Sequence, residues 1–113
     1  MANKVPMDMV LKIKADFLAA LSNPVRLAII EELRGGESSV GRMAGRLQVE
    51  QSSLSKHLAI LRHAGIVASR QRKSAVLYSI RDCDIFRVLR PIAQILRKRM
   101  EESRAVFARL GRP

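Results

Sequence analysis

The chain is poor in the residue types that most chemistry needs. It has one cysteine, Cys83, in 113 residues. That excludes an internal disulfide and fits a reducing cytoplasm. Its two histidines, His57 and His63, have no His or Cys partner at ligand spacing, so neither a metal site nor a bound cofactor is expected. Tryptophan is absent, and the aromatics are Phe17, Tyr78, Phe86 and Phe107. So few rings count against a stacking platform for single strands or RNA. No Gly-rich phosphate loop occurs, and neither histidine nor Cys83 has an evident catalytic partner, so no enzyme is indicated. The N-terminus lacks a signal-like apolar run, and no stretch approaches the length needed to span a bilayer, so no membrane partner is expected.

Acidic residues are also scarce. Ten Asp and Glu face 21 Lys and Arg, leaving a net charge of +11. A domain this basic usually meets a polyanion, and nucleic acid is the first candidate. A ribosomal or membrane-surface protein would share the charge. The length suits one domain, 1–113, with a modest core that a second copy would enlarge. Residues 1–6 and 111–113 are expected to be loose.

The stretch from Val40 to Arg62 reads as two short helices and a turn. Val40, Met43, Ala44 and Leu47 fall at i, i+3, i+4 and i+7, one face of a helix. Gln48, Val49 and Glu50 carry no such face. A second helix starts near Gln51, with Leu54, Leu58 and Leu61 on its apolar stripe. Its other face is short, polar and basic. A polar helix start held against a supporting helix fits a DNA major groove. Gln51 and Ser52 stand nearest the base edges. Gln can pair with an adenine edge, and Ser can bond several bases. Ser53 belongs to the same helix start. Ser55 and Lys56 lie one turn on, and His57 can donate to a phosphate. A solvated helix face is the plain alternative for each. From Arg42 to Lys73 the charged residues are Arg42, Arg46, Lys56, Arg62, Arg70, Arg72 and Lys73, with Glu50 as the only acid.

Leu21-Ser22-Asn23-Pro24-Val25-Arg26-Leu27, then Gln51 to Leu58, then Leu61-Arg62-His63-Ala64-Gly65-Ile66-Val67 and the strand Val76 to Ile80 resemble, in order and spacing, the ArsR/SmtB family of winged helix-turn-helix repressors. The likeness covers roughly residues 10 to 100. It implies a mainly α fold with a small β-hairpin (α+β), in the order α-α-α-α-β-β-α. It also implies a homodimer on a near-palindromic double-stranded operator, at the bacterial nucleoid, released when a signal arrives. Repression is the family's habit.

Elsewhere the pattern supplies the remaining elements. A helix from Met7 places Val10, Ile13, Phe17 and Leu21 on one face. The resemblance makes it part of the dimer interface; a plain core helix is the alternative. Asn23-Pro24 starts a helix to Arg34, apolar on most sides and so central to the core. Gly35-Gly36 ends it, and Ser38 or Ser39 can cap the next. The family's metal sensors carry Cys-Val-Cys where this chain has Ser39-Val40-Gly41, a capping Ser and a small packing Gly. Glu50 stands where the family usually has Ser, Thr or Asp. A carboxylate suits the helix dipole there but would repel a nearby phosphate.

Ile66–Arg72 and Ala75–Ile80 read as paired strands. Their connection, Arg70 to Ser74, has no Gly or Asn, so a loose basic loop is expected rather than a tight primed turn. In the family such a wing lies along the DNA backbone, which makes Arg70, Arg72 and Lys73 candidate phosphate contacts beside Arg42 and Arg62.

Asp82 can cap the last helix. Ile85, Leu89, Ile92, Leu96 and Met100 repeat along it at roughly 3.5 residues, a face whose expected partner is the same helix in a second copy. Packing within the chain is the alternative. Pro91 should kink or restart the helix. Arg97, Lys98, Arg99 and Arg104 make a second, solvated basic cluster. Cys83 could serve a redox-responsive regulator, through an intersubunit disulfide or a modified thiol; a buried, inert thiol is the expected case. Control by a regulatory protein partner stays open. So do a nonspecific architectural protein using the same basic surface and a protein-interaction module built on the last helix.

Overall fold

The computed structural model describes residues 6–111. They form two compact units, one reaching Asp82 and one beginning at Cys83. The first holds α1 (Met7–Leu21), α2 (Pro24–Glu32), a 3-10 turn (Leu33–Gly35), β1 (Ser38–Ser39), α3 (Val40–Leu47), α4 (Gln51–His63), β2 (Val67–Arg72) and β3 (Ala75–Ile80). The second is a single helix, α5 (Asp84–Leu110). Among the described residues no helix is long and apolar enough to cross a membrane. Residues 1–5 and 112–113 lie outside the described residues. Pro6 and Gly111 carry helix-end bonds: the Pro6 carbonyl accepts from Met9 and Val10, and the Gly111 amide donates to Phe107.

Local chemistry sets the helix ends. Asn23 caps α2, its Oδ1 accepting from the amides of Val25 at 2.8 Å and Arg26 at 3.2 Å. Pro24 follows at the first helical position, where its missing N–H costs no bond. The α-helix stops at Glu32, two residues short of the expected Arg34, and tightens into the 3-10 turn before Gly36 at φ 122°. Ser39 rather than Ser38 caps α3, its Oγ accepting from Arg42 at 3.2 Å. The chain leaves α3 through Gln48 at φ 55°, a left-handed conformation uncommon for a side chain of that size. Gly65, at φ 77°, ends α4: its amide donates to Arg62 and that of Ile66 to Leu61. This paired pattern satisfies the last carbonyls of the helix.

The core of the first unit lies among α2, α3 and α4. Ile29, Ile30, Met43, Leu54, Leu58 and Leu61 are fully buried, with Leu33, Ile66 and Val67 beside them. The periodicity of the two central helices therefore predicts the inward residues. Leu27 is an exception, lying on the exposed side of α2.

Two features of the sheet differ from expectation. A third strand, β1, pairs antiparallel with β3, Ser38 opposite Tyr78 and Ser39 opposite Leu77, giving the order β1-β3-β2. It fixes the hairpin against the start of α3. The hairpin loop is also tight rather than loose. Arg72 pairs with Ala75, leaving only Lys73 and Ser74 to turn. Lys73 takes φ 55° and its carbonyl accepts from Gln71 Nε2 at 3.1 Å. That side-chain bond helps to hold the conformation that Gly or Asn would normally supply.

In the second unit, α5 runs unbroken through Pro91. Pro91 has no N–H to give the Arg87 carbonyl, one turn back, so one bond is lost without ending the helix. The residue at the N-cap position is Cys83, not Asp82, and it makes no side-chain cap. Cys83 is exposed, against the expectation of a buried thiol.

Candidate nucleic-acid interface

The N-terminal half of α4 divides cleanly by burial. Leu54 and Leu58 point into the core, whereas Gln51, Ser52, Ser55 and Lys56 are exposed. Ser53 is only half-exposed, so its hydroxyl stands nearer the flank than the crest of this face. Glu50 occupies the N-cap position and makes no side-chain cap bond. Its carboxylate is left beside the amide end of the helix, where the helix dipole favours negative charge.

His57 makes a contact across to α2. It is half-buried, and its Nδ1 lies 3.0 Å from Nη1 of Arg26 on α2. No spacing ties Arg26 to this surface. Its place in the Leu21–Leu27 stretch of the family resemblance is the one signal the sequence carries for it.

The basic residues separate into paired and unpaired sets. Arg46 on α3 is bound to Glu32 on α2 at 2.7 Å. Arg70 on β2 grips Glu37 through both Nε, at 2.8 Å, and Nη2. The Arg70 hydrogen bond, helped by the nearby charges of Arg70 and Arg72, holds the Glu37 carboxyl below its usual range. The same bond raises the Arg70 guanidinium. With the carboxyl value lowered, the pair is intact at neutral pH and is lost only as acid protonates Glu37. Arg70 therefore anchors the hairpin to the segment before α3, instead of standing free for phosphate. No sequence signal joins residues 33 positions apart. Arg62 reaches from α4 to Ser69 Oγ at 3.3 Å, tying the helix end to β2.

Arg42, Lys56, Arg72 and Lys73 are exposed and make no ion pair among the described residues. The free positive charge thus comes from the start of α3, the exposed face of α4 and the hairpin tip. If Glu37 restrains Arg70, Glu37→Gln should release it for phosphate contact. The slope of log affinity against log salt on any duplex should then steepen by about one unit. An unchanged slope would mean that Arg70 does not reach the backbone even when freed.

The site where the family's metal sensors carry thiolates is equally plain. Ser39 is spent on capping, and Gly41 is exposed, with only Gln51 Oε1 within 4.0 Å of where a Cβ would stand. Gly41 is therefore not the close-packed glycine expected. Among the described residues no group of three or more His, Cys, Asp or Glu could hold a metal ion.

A family of helix-turn-helix domains matches residues 21–70. The HTH-type transcriptional regulator Rv0081 of Mycobacterium tuberculosis is 36% identical over 97 residues, 85% of each chain. Its crystal structure superposes with a TM-score of 0.75 at 35% identity, over 83% of this chain and 95% of that one. A solution structure from Mycobacterium bovis, described as a homodimeric winged helix-turn-helix DNA-binding domain of a possible ArsR-family regulator, gives 0.76 at 25% identity over 90% and 95%. The chain belongs to the ArsR/SmtB family of winged helix-turn-helix transcriptional regulators. The transcriptional repressor SmtB of M. tuberculosis is 37% identical over 73 residues, 65% of this chain and 54% of its own. In this winged helix-turn-helix fold α3 and α4 form the helix-turn-helix and the β2–β3 hairpin is the wing. DNA binding in transcription regulation is thus the activity to which this geometry belongs.

Proposed function

We propose that the chain is a homodimeric repressor reading a near-palindromic operator, acting at the nucleoid in the cytoplasm and catalysing no reaction. The observation that carries this reading is the exposed polar start of α4, flanked by four cations without ion pairs among the described residues. Gln51 and Ser52 read base edges, with Ser55 one turn behind and Ser53 at the flank. Lys56, Arg42, Arg72 and Lys73 neutralise phosphates, with Arg62 at the edge of the surface. Base contacts set the sequence choice, and phosphate contacts set the register and most of the affinity.

The dimer reading rests on two apolar helix faces. On α1, Ile13 is 61% exposed and Phe17 36%, while Val10 is half-buried. On α5, Ile92, Leu96 and Met100 are 46%, 54% and 66% exposed, with Leu89 partly covered. Ile85 completes the expected α5 set and is buried. Faces this apolar are seldom left in water. The homodimer described for the M. bovis relative supports a second copy as the partner.

The test is a pair of substitutions. Gln51→Ala should cost about 1–3 kcal/mol on the operator and little on random DNA. Lys56→Ala should weaken binding to every sequence and lower the salt slope by about one unit. Equal losses on both duplexes for Gln51→Ala would remove it from base reading. Equal salt slopes for Lys56→Ala and the parent would remove Lys56 from the phosphates.

A further inference from the structure

Arg26 lies outside the helix-turn-helix yet touches it at one point. Its Nε donates to the Ala20 carbonyl at 2.6 Å and its Nη2 to the Ala19 carbonyl at 3.2 Å, both at the end of α1. Its Nη1 meets Nδ1 of His57 at 3.0 Å. All three partners are uncharged acceptors when His57 is neutral, and Arg26 makes no ion pair among the described residues. The arrangement therefore orients groups rather than neutralising them. A guanidinium can only donate, so Nδ1 must accept. The ring proton of neutral His57 is then confined to Nε2, on the far side of the ring, because the partner of one imidazole nitrogen decides the state of the other.

His57 follows Lys56 on α4, and it is half-exposed, so its ring is not sealed from the surface. We propose that Arg26 is a positioning residue for operator binding: it locks His57 in the Nε2–H form, and the recognition helix thereby presents a fixed N–H donor to a DNA phosphate. This rests on the reading of α4 as the DNA-reading helix. It adds to that reading a residue from α2, and it makes the end of α1 part of the support for the contact.

The ring nitrogens of His57 in the free, 15N-labelled protein provide the first readout. With the ring neutral they should report the Nε2–H tautomer, and Arg26→Gln should turn it into a mixture. Finding the Nδ1–H tautomer in the parent would overturn the proposal. The second readout is His57→Asn, whose amide oxygen can still accept from Arg26 but which lacks the distal donor. It should melt with the parent and bind the operator about tenfold more weakly, one lost hydrogen bond in each of two subunits. His57→Gln, which restores a distal amide donor, should recover most of that loss. Parent-like binding by His57→Asn would overturn the proposal even if Arg26→Gln fails to fold. Gln51→Ala and Lys56→Ala on the same duplex separate the two failures. If they too lose nothing, the recognition-helix reading has failed; if they alone lose affinity, only the role of Arg26 and His57 has.

Discussion

Ile92→Glu should turn the protein into a folded monomer and weaken operator binding by two to three orders of magnitude. Ile92 is nearly half-exposed on α5, in the stripe shared with Leu96 and Met100. If that stripe is the subunit interface, a carboxylate there is buried without a partner, which costs several kcal/mol at each copy. The reading head belongs to the other compact unit, so its fold should survive. The large loss on DNA follows from connection rather than contact. Each half-site bound by a tethered pair gains effective concentration, on the order of 10²–10⁴ in affinity, and a monomer forfeits it. Light scattering at micromolar concentration and anisotropy on the operator check the two halves. A variant that stays dimeric would place the interface elsewhere, and a monomer with parental affinity would remove the need for a palindrome.

Leu58→Ala should cost about 2–5 kcal/mol of folding free energy. Leu58 is fully buried on α4, in a core that also contains Leu54, Leu61, Met43, Ile29 and Ile30. A small domain has only about 5–15 kcal/mol in total, so the loss is a large share of it. Melting should fall by roughly 10 °C or more, since about 1 kcal/mol shifts a domain of this size by several degrees. Leu27→Ala is the matched control. Leu27 is 40% exposed on α2 and its truncation should cost under about 1 kcal/mol, as little apolar area returns to water. Equal melting shifts for the two would contradict the placement of the core. The Leu58 result also bears on function, because the same helix that loses its anchor presents Gln51 and Ser52.

Much of this arrangement is legible in the amino-acid pattern. Two helical stripes, Val40 to Leu47 and Leu54 to Leu61, lie where their spacing puts them, because burial imposes the 3.6-residue period directly on the sequence. Asn23, Ser39 and Gly65 end or start their helices as their chemistry dictates. The features that the pattern does not show depend mostly on partners distant in the chain. Ser38 and Ser39 have no strand-like pattern and form β1 only because β3 offers an open edge. Arg70 has the position of a free wing cation, and only Glu37 beside it makes it an anchor. His57 has the position of an outward donor, and Arg26 holds its inner nitrogen. The tight turn at Lys73 rests on a bond from Gln71, which turn-residue preferences do not register. In each case the outcome is set by specific contacts that the local pattern does not register.

The most direct test of the central claim, that a dimer selects one operator through α4, is fluorescence anisotropy with two labelled duplexes. One carries the region upstream of the protein's own gene and the other a scrambled version, each measured at low and near-physiological salt. The account predicts tight binding to the first that persists at the higher salt, and weak binding to the second that collapses as counterions compete for phosphate. Equal affinity for both, lost together as salt rises, across a selection of genomic fragments as well as this pair, would contradict it and leave a nonspecific basic protein.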